Sequence, residues 1–200
     1  MSQVERSLLF GAFVLHFLAA FVWPSWRVWR TTGRNPLVLP RADDVHGFVG
    51  RWFKSVLALL FAYLVVQALV PGTAAYLGAV AWLDSRAFRR LGWLLLAIST
   101  LWLLTAQRQM GKSWRIGIDA RETTDLVTHG LFRLSRNPIF LAMRANLAAL
   151  VLLQPNAVTL ALATAGEILM QVQVRLEEAH LAARHGNRYA EYLARVRRWL

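Results

Sequence analysis

The sequence predicts an all-α integral membrane bundle of about five transmembrane helices with a short cytoplasmic amphipathic helix at the C-terminus. Three observations carry this: 56% of the residues are hydrophobic, with nine tryptophans; the apolar residues gather into five runs; and the arginines are sorted between those runs. The runs are Ser7 to Val22, Val56 to Val70, Leu91 to Ala106, Pro138 to Leu153 and Ala157 to Val172. Several are shorter than the roughly 20 residues that cross a bilayer core, so flanking residues must extend them or the bilayer must thin locally. Tyr76 to Leu83 is a further apolar piece beyond Pro71-Gly72. It could continue the second helix, re-enter the membrane or lie in the interface.

Charge gives the orientation. The formal net charge of +12 invites a nucleic-acid partner, but the cations form no single patch, which argues against one. Six Lys and Arg lie between Pro24 and Ser55, six between Gln107 and Pro138, and six from Arg175 onward. With five spans these segments share one face, which the positive-inside tendency makes cytoplasmic, leaving the N-terminus outside and the C-terminus inside. Arg86, Arg89 and Arg90 fit this badly, because they fall in an outer loop. Trp23, Trp26, Trp52, Trp93 and Trp114 sit near span boundaries, where interface anchors belong. The N-terminus lacks the cleavage pattern of a secretory signal, since Glu5 offsets Arg6 and no small-residue site follows. It is expected to remain as a helix. No repeat or linker divides the chain, so residues 1–200 form a single domain, and the absence of repeat halves weighs against a transporter. Without cysteine there is no disulfide framework or thiolate metal site.

The last two runs form a hairpin about Gln154-Pro155-Asn156, bracketed by Arg136-Asn137-Pro138 and Arg175-Leu176-Glu177-Glu178. Arg136 precedes Pro155 by nineteen residues and Glu178 follows it by twenty-three. At about 1.5 Å per residue the two clusters surface within about one turn of each other. Arg144 and Glu167 fall at nearly equal depth, as a helix-pairing ion pair or as lining of a ligand cavity. Asn146 and Thr164 are placed to hydrogen-bond across the hairpin. Glu167, Gln171, Arg175 and Glu178 share a helical stripe running toward the cytoplasmic mouth, and a polar cavity is favoured for it. Other motifs are weak. Gly111-Lys112-Ser113 lacks the rest of a phosphate loop. Glu177 and His180 make one Glu-x-x-His half-site with no second copy, so no metal is expected. His16 reads as a packed or interfacial histidine.

Leu126-Val127-Thr128-His129-Gly130-Leu131-Phe132-Arg133, followed by Arg136-Asn137-Pro138-Ile139-Phe140, resembles the integral-membrane isoprenylcysteine carboxyl methyltransferase and phospholipid methyltransferase superfamily. Val174-Arg175-Leu176-Glu177-Glu178 with Leu181, Gly186, Tyr189, Tyr192, Val196 and Arg198 looks like its closing signature. The likeness covers about Gln107 to Leu200. It implies S-adenosylmethionine as methyl donor, with S-adenosylhomocysteine as product, and a donor-binding part over residues 107–200. It implies a lipid-like acceptor entering from the bilayer, and for a prokaryotic-type member the bacterial inner membrane. The implied catalytic residues are Arg136, Glu178 and Arg175. His129, Gly130, Leu131, Arg136, Asn137, Pro138, Phe140, Glu177 and Glu178 are implied to hold the donor, with Glu177 and Glu178 on its ammonium or ribose and Arg136 or Arg175 on its carboxylate. Trp114, Arg115, Arg133, Arg144 and Glu167 are candidates for the acceptor. The family's Arg-His-Pro-x-Tyr motif appears here as Arg136-Asn137-Pro138-Ile139-Phe140, an amide for a histidine and a phenyl for a phenol. Carboxyl O-methylation of the isoprenylcysteine type is the expected reaction. N-methylation of phospholipid headgroups, S-methylation of small thiols and a non-enzymatic binding component are the alternatives. The long loop from Gly33 to His46 reads as a gate, an acceptor contact or a plain linker.

Overall fold

The computed structural model describes residues 1–33, 44–111, 114 and 125–200. They are helical, in the order α1 (Gln3–Phe17), a π-turn (Leu18–Val22), α2 (Trp23–Thr32), α3 (Val45–Leu69), α4 (Arg86–Met110), α5 (Pro138–Leu153), α6 (Ala157–His185) and α7 (Asn187–Arg195). Four helices are long and apolar enough to cross a membrane: Gln3–Thr32, α3, α4 and α6. The fifth expected span, α5, has 16 residues. At about 24 Å it is shorter than the roughly 30 Å hydrocarbon core. Outward faces are apolar, as at Leu15, Leu94, Leu101 and Ile168, which suits lipid contact.

The first helix runs further than the apolar pattern indicates. The sequence ends the first run at Val22, before Pro24, yet the helix continues to Thr32. Proline has no N–H and crowds the carbonyl four residues back, here that of Ala20. The chain absorbs this by widening into the π-turn. Gln107 of α4 then donates from Nε2 to the Ala20 carbonyl at 2.7 Å, and both residues are buried. Gln107→Leu is therefore expected to destabilise the protein by about 1–3 kcal/mol, the cost of a buried carbonyl left unpaired. In a Pro24→Ala background the new N–H satisfies that carbonyl, and the same substitution should cost much less. A thermal-unfolding double-mutant cycle in detergent measures the difference.

The helices close a ring: α4 packs on α5, α5 on α6, α6 on α3, α3 on α1, and the π-turn returns to α4. Small residues set the closest approaches. A Cβ on Gly92 would lie 2.8 Å from Leu153 Cγ, and one on Gly166 would lie 2.7 Å from Leu147 Cδ1, so α4 and α6 can both draw close to α5. At the α5–α6 turn, Asn156 caps α6 through Val158 N at 3.0 Å and Thr159 N at 3.1 Å. Its Nδ2 donates to Tyr63 Oη at 2.8 Å, and Tyr63 also bonds Gln154. Tyr76 to Leu83 does not continue α3, which ends at Leu69. It makes two 3₁₀ turns, Thr73–Tyr76 and Ala81–Leu83, tied to the same turn by Val80 N to Pro155 O at 2.9 Å and Ala157 N to Leu77 O at 3.0 Å. The awkward Arg86, Arg89 and Arg90 occupy the first turns of α4, where Arg89 pairs with Asp84.

Candidate functional site

Inside the ring lies a cavity of about 850 Å³ with two unlike ends. Leu9, Leu60, Leu64, Leu150 and Leu153 line the end near the α5–α6 turn. Glu177, Gln173, His180, Arg136 and Asn137 line the other, with Trp114, Phe132 and Tyr192. On α6 the lining residues are Gly166, Met170, Gln173, Glu177, His180 and Leu181, which recur at helical spacing and form one face. The stripe expected to do this, Glu167, Gln171 and Arg175, lies on another face and does not line the cavity. Arg175 Nη1 donates to Gln171 O at 2.7 Å and Oε1 at 2.8 Å, and Gln171 Nε2 to Glu167 Oε1 at 2.7 Å. Glu167 pairs with Arg144, Nε to Oε2 at 2.7 Å, and the Arg144 guanidinium lies 4.2 Å from the centre of the Trp199 ring. Of the two roles weighed for this pair, the geometry is that of the helix-pairing ion pair.

The hairpin does bring its two clusters together, through Glu178. This carboxylate is buried and takes Arg136 Nε at 3.2 Å, Asn137 Nδ2 at 2.9 Å and Arg198 Nη2 at 2.7 Å. Arg136 Nη1 also donates to the carbonyls of Leu193, at 3.2 Å, and Val196, at 3.0 Å, where the open carbonyls of α7 end. Its backbone N–H donates to Arg197 O at 2.9 Å, and Ser135 Oγ donates to Arg198 O at 3.1 Å. Four polar residues thus clamp the C-terminal tail onto the start of α5. The double glutamate divides its labour. Glu178 faces the clamp, whereas Glu177, which accepts from Gln173 Nε2 at 3.1 Å, faces the cavity. Arg136 borders both, and its Nη2 makes no hydrogen bond among the described residues.

Pro138 and Phe140 line the cavity beside Asn137, and Trp114 is buried in its wall. His129, Gly130, Leu131 and Arg133 do not line it. Their segment is a 3₁₀ turn, Gly130–Arg133, whose job here is support. Gly130 has φ +59°, and a Cβ there would lie 2.4 Å from the Gln109 side chain, which accepts from Leu131 N at 2.8 Å. Tyr192 Oη then donates to Phe132 O at 2.6 Å. Burial pushes the Tyr189 phenol up to about 12, reinforced by the nearby Glu178 carboxylate, and raises Tyr192 as well. Arg115, Lys112 and Ser113, and residues 34–43 of the long loop, lie outside the described residues. The rest of that loop is the cap and first turn of α3, whose Asp44 accepts from Gly47 N at 2.8 Å. Sequence reasoning passed over Gln107, Met110, Gln173, His180 and Leu181 as cavity residues. The period of Gln173, Glu177, His180 and Leu181 was the available signal.

Apolar helices around a chamber that is polar at one end and hydrocarbon-lined at the other define a membrane-embedded site for an amphiphilic molecule. A family model described as phospholipid methyltransferase matches residues 87–188, which span α4 to the start of α7, half of the chain. The chain belongs to that family, and with it to the superfamily that includes the isoprenylcysteine carboxyl methyltransferases. No curated protein and no solved structure matches it.

Proposed function

We propose that the protein is an S-adenosylmethionine-dependent methyltransferase whose donor occupies the polar end of the cavity and whose lipid acceptor fills the apolar end. The observation that carries this is the cavity itself, one continuous space that joins Glu177 and Arg136 to Leu64 and Leu153. The residues present fit the donor. Glu177 would take its ammonium or ribose hydroxyls, the uncommitted Nη2 of Arg136 its carboxylate, and Trp114, Phe132 and Tyr192 offer aromatic surface for its base. The bound donor supplies a methyl group on a sulfonium. The chain's contribution is to align the acceptor atom behind that carbon and to exclude water, because in-line displacement depends mainly on positioning. As the acceptor bond forms, the carbon–sulfur bond breaks and its electron pair stays on the now neutral sulfur. An amine acceptor must also lose a proton, and Glu177 or His180, which both line the polar end, would receive it.

A phospholipid headgroup amine is the favoured acceptor, because the family model that matches is described as phospholipid methyltransferase and the polar end carries His180, a group suited to take the proton that an amine, unlike a carboxylate, must lose. The isoprenylcysteine-type carboxyl expected from the sequence is the alternative. The loading of arginine on the segments flanking the mouth supports a cytoplasmic opening, with α5 completing a fifth crossing and the N-terminus outside. Residues His129, Gly130, Leu131 and Arg133 would act on the donor only by supporting the wall that carries Phe132. The test is a calorimetric titration of the detergent-purified protein with S-adenosylhomocysteine, followed by transfer of labelled methyl groups to phosphatidylethanolamine or to a prenylcysteine acid. Saturable binding and a labelled lipid support the proposal. A folded protein that binds no S-adenosylhomocysteine would refute it.

A further inference from the structure

We infer that Asn146 reads a carbonyl oxygen in the ester linkage of the lipid acceptor, with Ser99 and His16 as its positioning residues. This rests on the phospholipid reading and goes beyond it to the part of the lipid that is recognised. The only polar side chains within α5 are Arg144 and Asn146. Arg144 turns away to Glu167, whereas Asn146 lines the cavity together with His16. The Asn146 amide is held between Ser99 Oγ on α4 and His16 Nε2 on α1, the latter at 3.5 Å, and His16 Nδ1 lies 3.0 Å from Thr100 Oγ1. It does not reach Thr164, the partner expected for it across the hairpin.

A side-chain amide has two N–H hydrogens. Whichever way round this one sits between Ser99 and His16, those contacts use one. The other has no partner among the described residues, and among the neighbouring lining residues Phe13, Met143, Leu147 and Leu150 it is a hydrogen-bond donor waiting for an oxygen. A group that only glued α1, α4 and α5 together would not need to line the cavity. Intramembrane polar groups that face a cavity mark ligand contacts.

Depth identifies the oxygen. Asn146 lies nine residues beyond Asn137 on α5, so it sits about 14 Å below the mouth. A phospholipid whose headgroup is at the mouth carries ester carbonyls deeper in the molecule, ahead of its chains. In a prenylcysteine acid the carboxyl belongs to the cysteine, and the prenyl chain beyond its thioether carries no oxygen. His16 belongs to α1, outside the matched residues 87–188, so this feature is built partly from a portion of the chain that the family match does not cover.

The experiment uses the full-length protein in mixed micelles with S-adenosylmethionine and either diester phosphatidylethanolamine or its diether analogue, which lacks the carbonyls. The wild type should prefer the diester in kcat/KM by roughly tenfold, the value of one hydrogen bond. In Asn146→Leu the ratio should fall toward one while affinity for S-adenosylhomocysteine is unchanged. Ser99→Ala, which loosens the amide and leaves α5 intact, should lower the ratio part of the way and serves if the leucine variant does not fold. Equal use of the two lipids by the wild type, or a preference that survives in the variants, overturns the inference. So does S-adenosylhomocysteine binding without methylation of either lipid, whereas absence of that binding sinks the methyltransferase reading itself.

Discussion

Glu178→Ala should lower the stability of the protein by about 3 kcal/mol and release its C-terminal tail. The carboxylate is buried with two guanidiniums and an amide upon it, and removing one member of such a group leaves uncompensated charge in a poorly solvated place, typically at a cost of about 3–5 kcal/mol. The lower figure applies because the Arg198 side chain is 33% exposed and can rehydrate. For a chain of this size that corresponds to a fall of about 6–12 °C in Tm. Thermal unfolding in detergent and limited proteolysis read the two effects, and cleavage should appear within the α7 segment and the tail before any helix of the ring is cut. Glu178→Gln keeps one oxygen acceptor and should lie between the alanine variant and the wild type. A Glu178→Ala protein with unchanged Tm and a protected tail would show that the clamp does not hold the tail.

Glu177→Gln should behave in the opposite way. Its carboxylate faces the cavity, and a charged hydrogen bond to a ligand contributes about 1.5–3 kcal/mol. Affinity for S-adenosylhomocysteine should therefore fall by about 10- to 100-fold while Tm stays within a degree or two of the wild type. Calorimetry and thermal unfolding on the same preparation check both halves. Equal affinity in Glu177→Gln would mean that the donor lies elsewhere in the cavity. The two adjacent glutamates are separable because neighbouring helical positions point about 100° apart: one carboxylate enters the chamber and the other enters the protein.

Counting residues from Pro155 brings Arg136 to Glu178 and Arg144 to Glu167, because the antiparallel hairpin fixes depth with little freedom. Azimuth is another matter. Hydropathy along α6 does not reveal which polar stripe faces the interior when each face carries polar residues: Glu167, Gln171, Arg175 and Glu178 share the stripe for which a cavity is expected, yet Glu177, assigned with Glu178 to the donor, is the one that lines it, together with Gln173 and His180. Asn146 was matched to Thr164 because both lie nine residues from the turn, but ring order decides partners. Ser99 and His16 come from helices whose proximity no local pattern encodes. The first apolar run stops at Val22, before Pro24, and the sequence does not announce that Gln107, 83 positions beyond that proline, satisfies the carbonyl it frees so that the helix continues. The departure at Asn137, an amide where the family carries histidine, proves structurally coherent: its N–H₂ donates to Glu178.

The clamp has a consequence for biosynthesis. Glu178 sits on α6, whereas Arg198 follows α7, so α5 and α6 can pair in the bilayer before the segment beyond α7 is docked. Insertion of the hydrophobic helices and docking of that segment are therefore separable steps in biosynthesis, and a protein without the Arg198 guanidinium could occupy the bilayer with every span in place yet leave Glu178 with only Arg136 and Asn137 as partners.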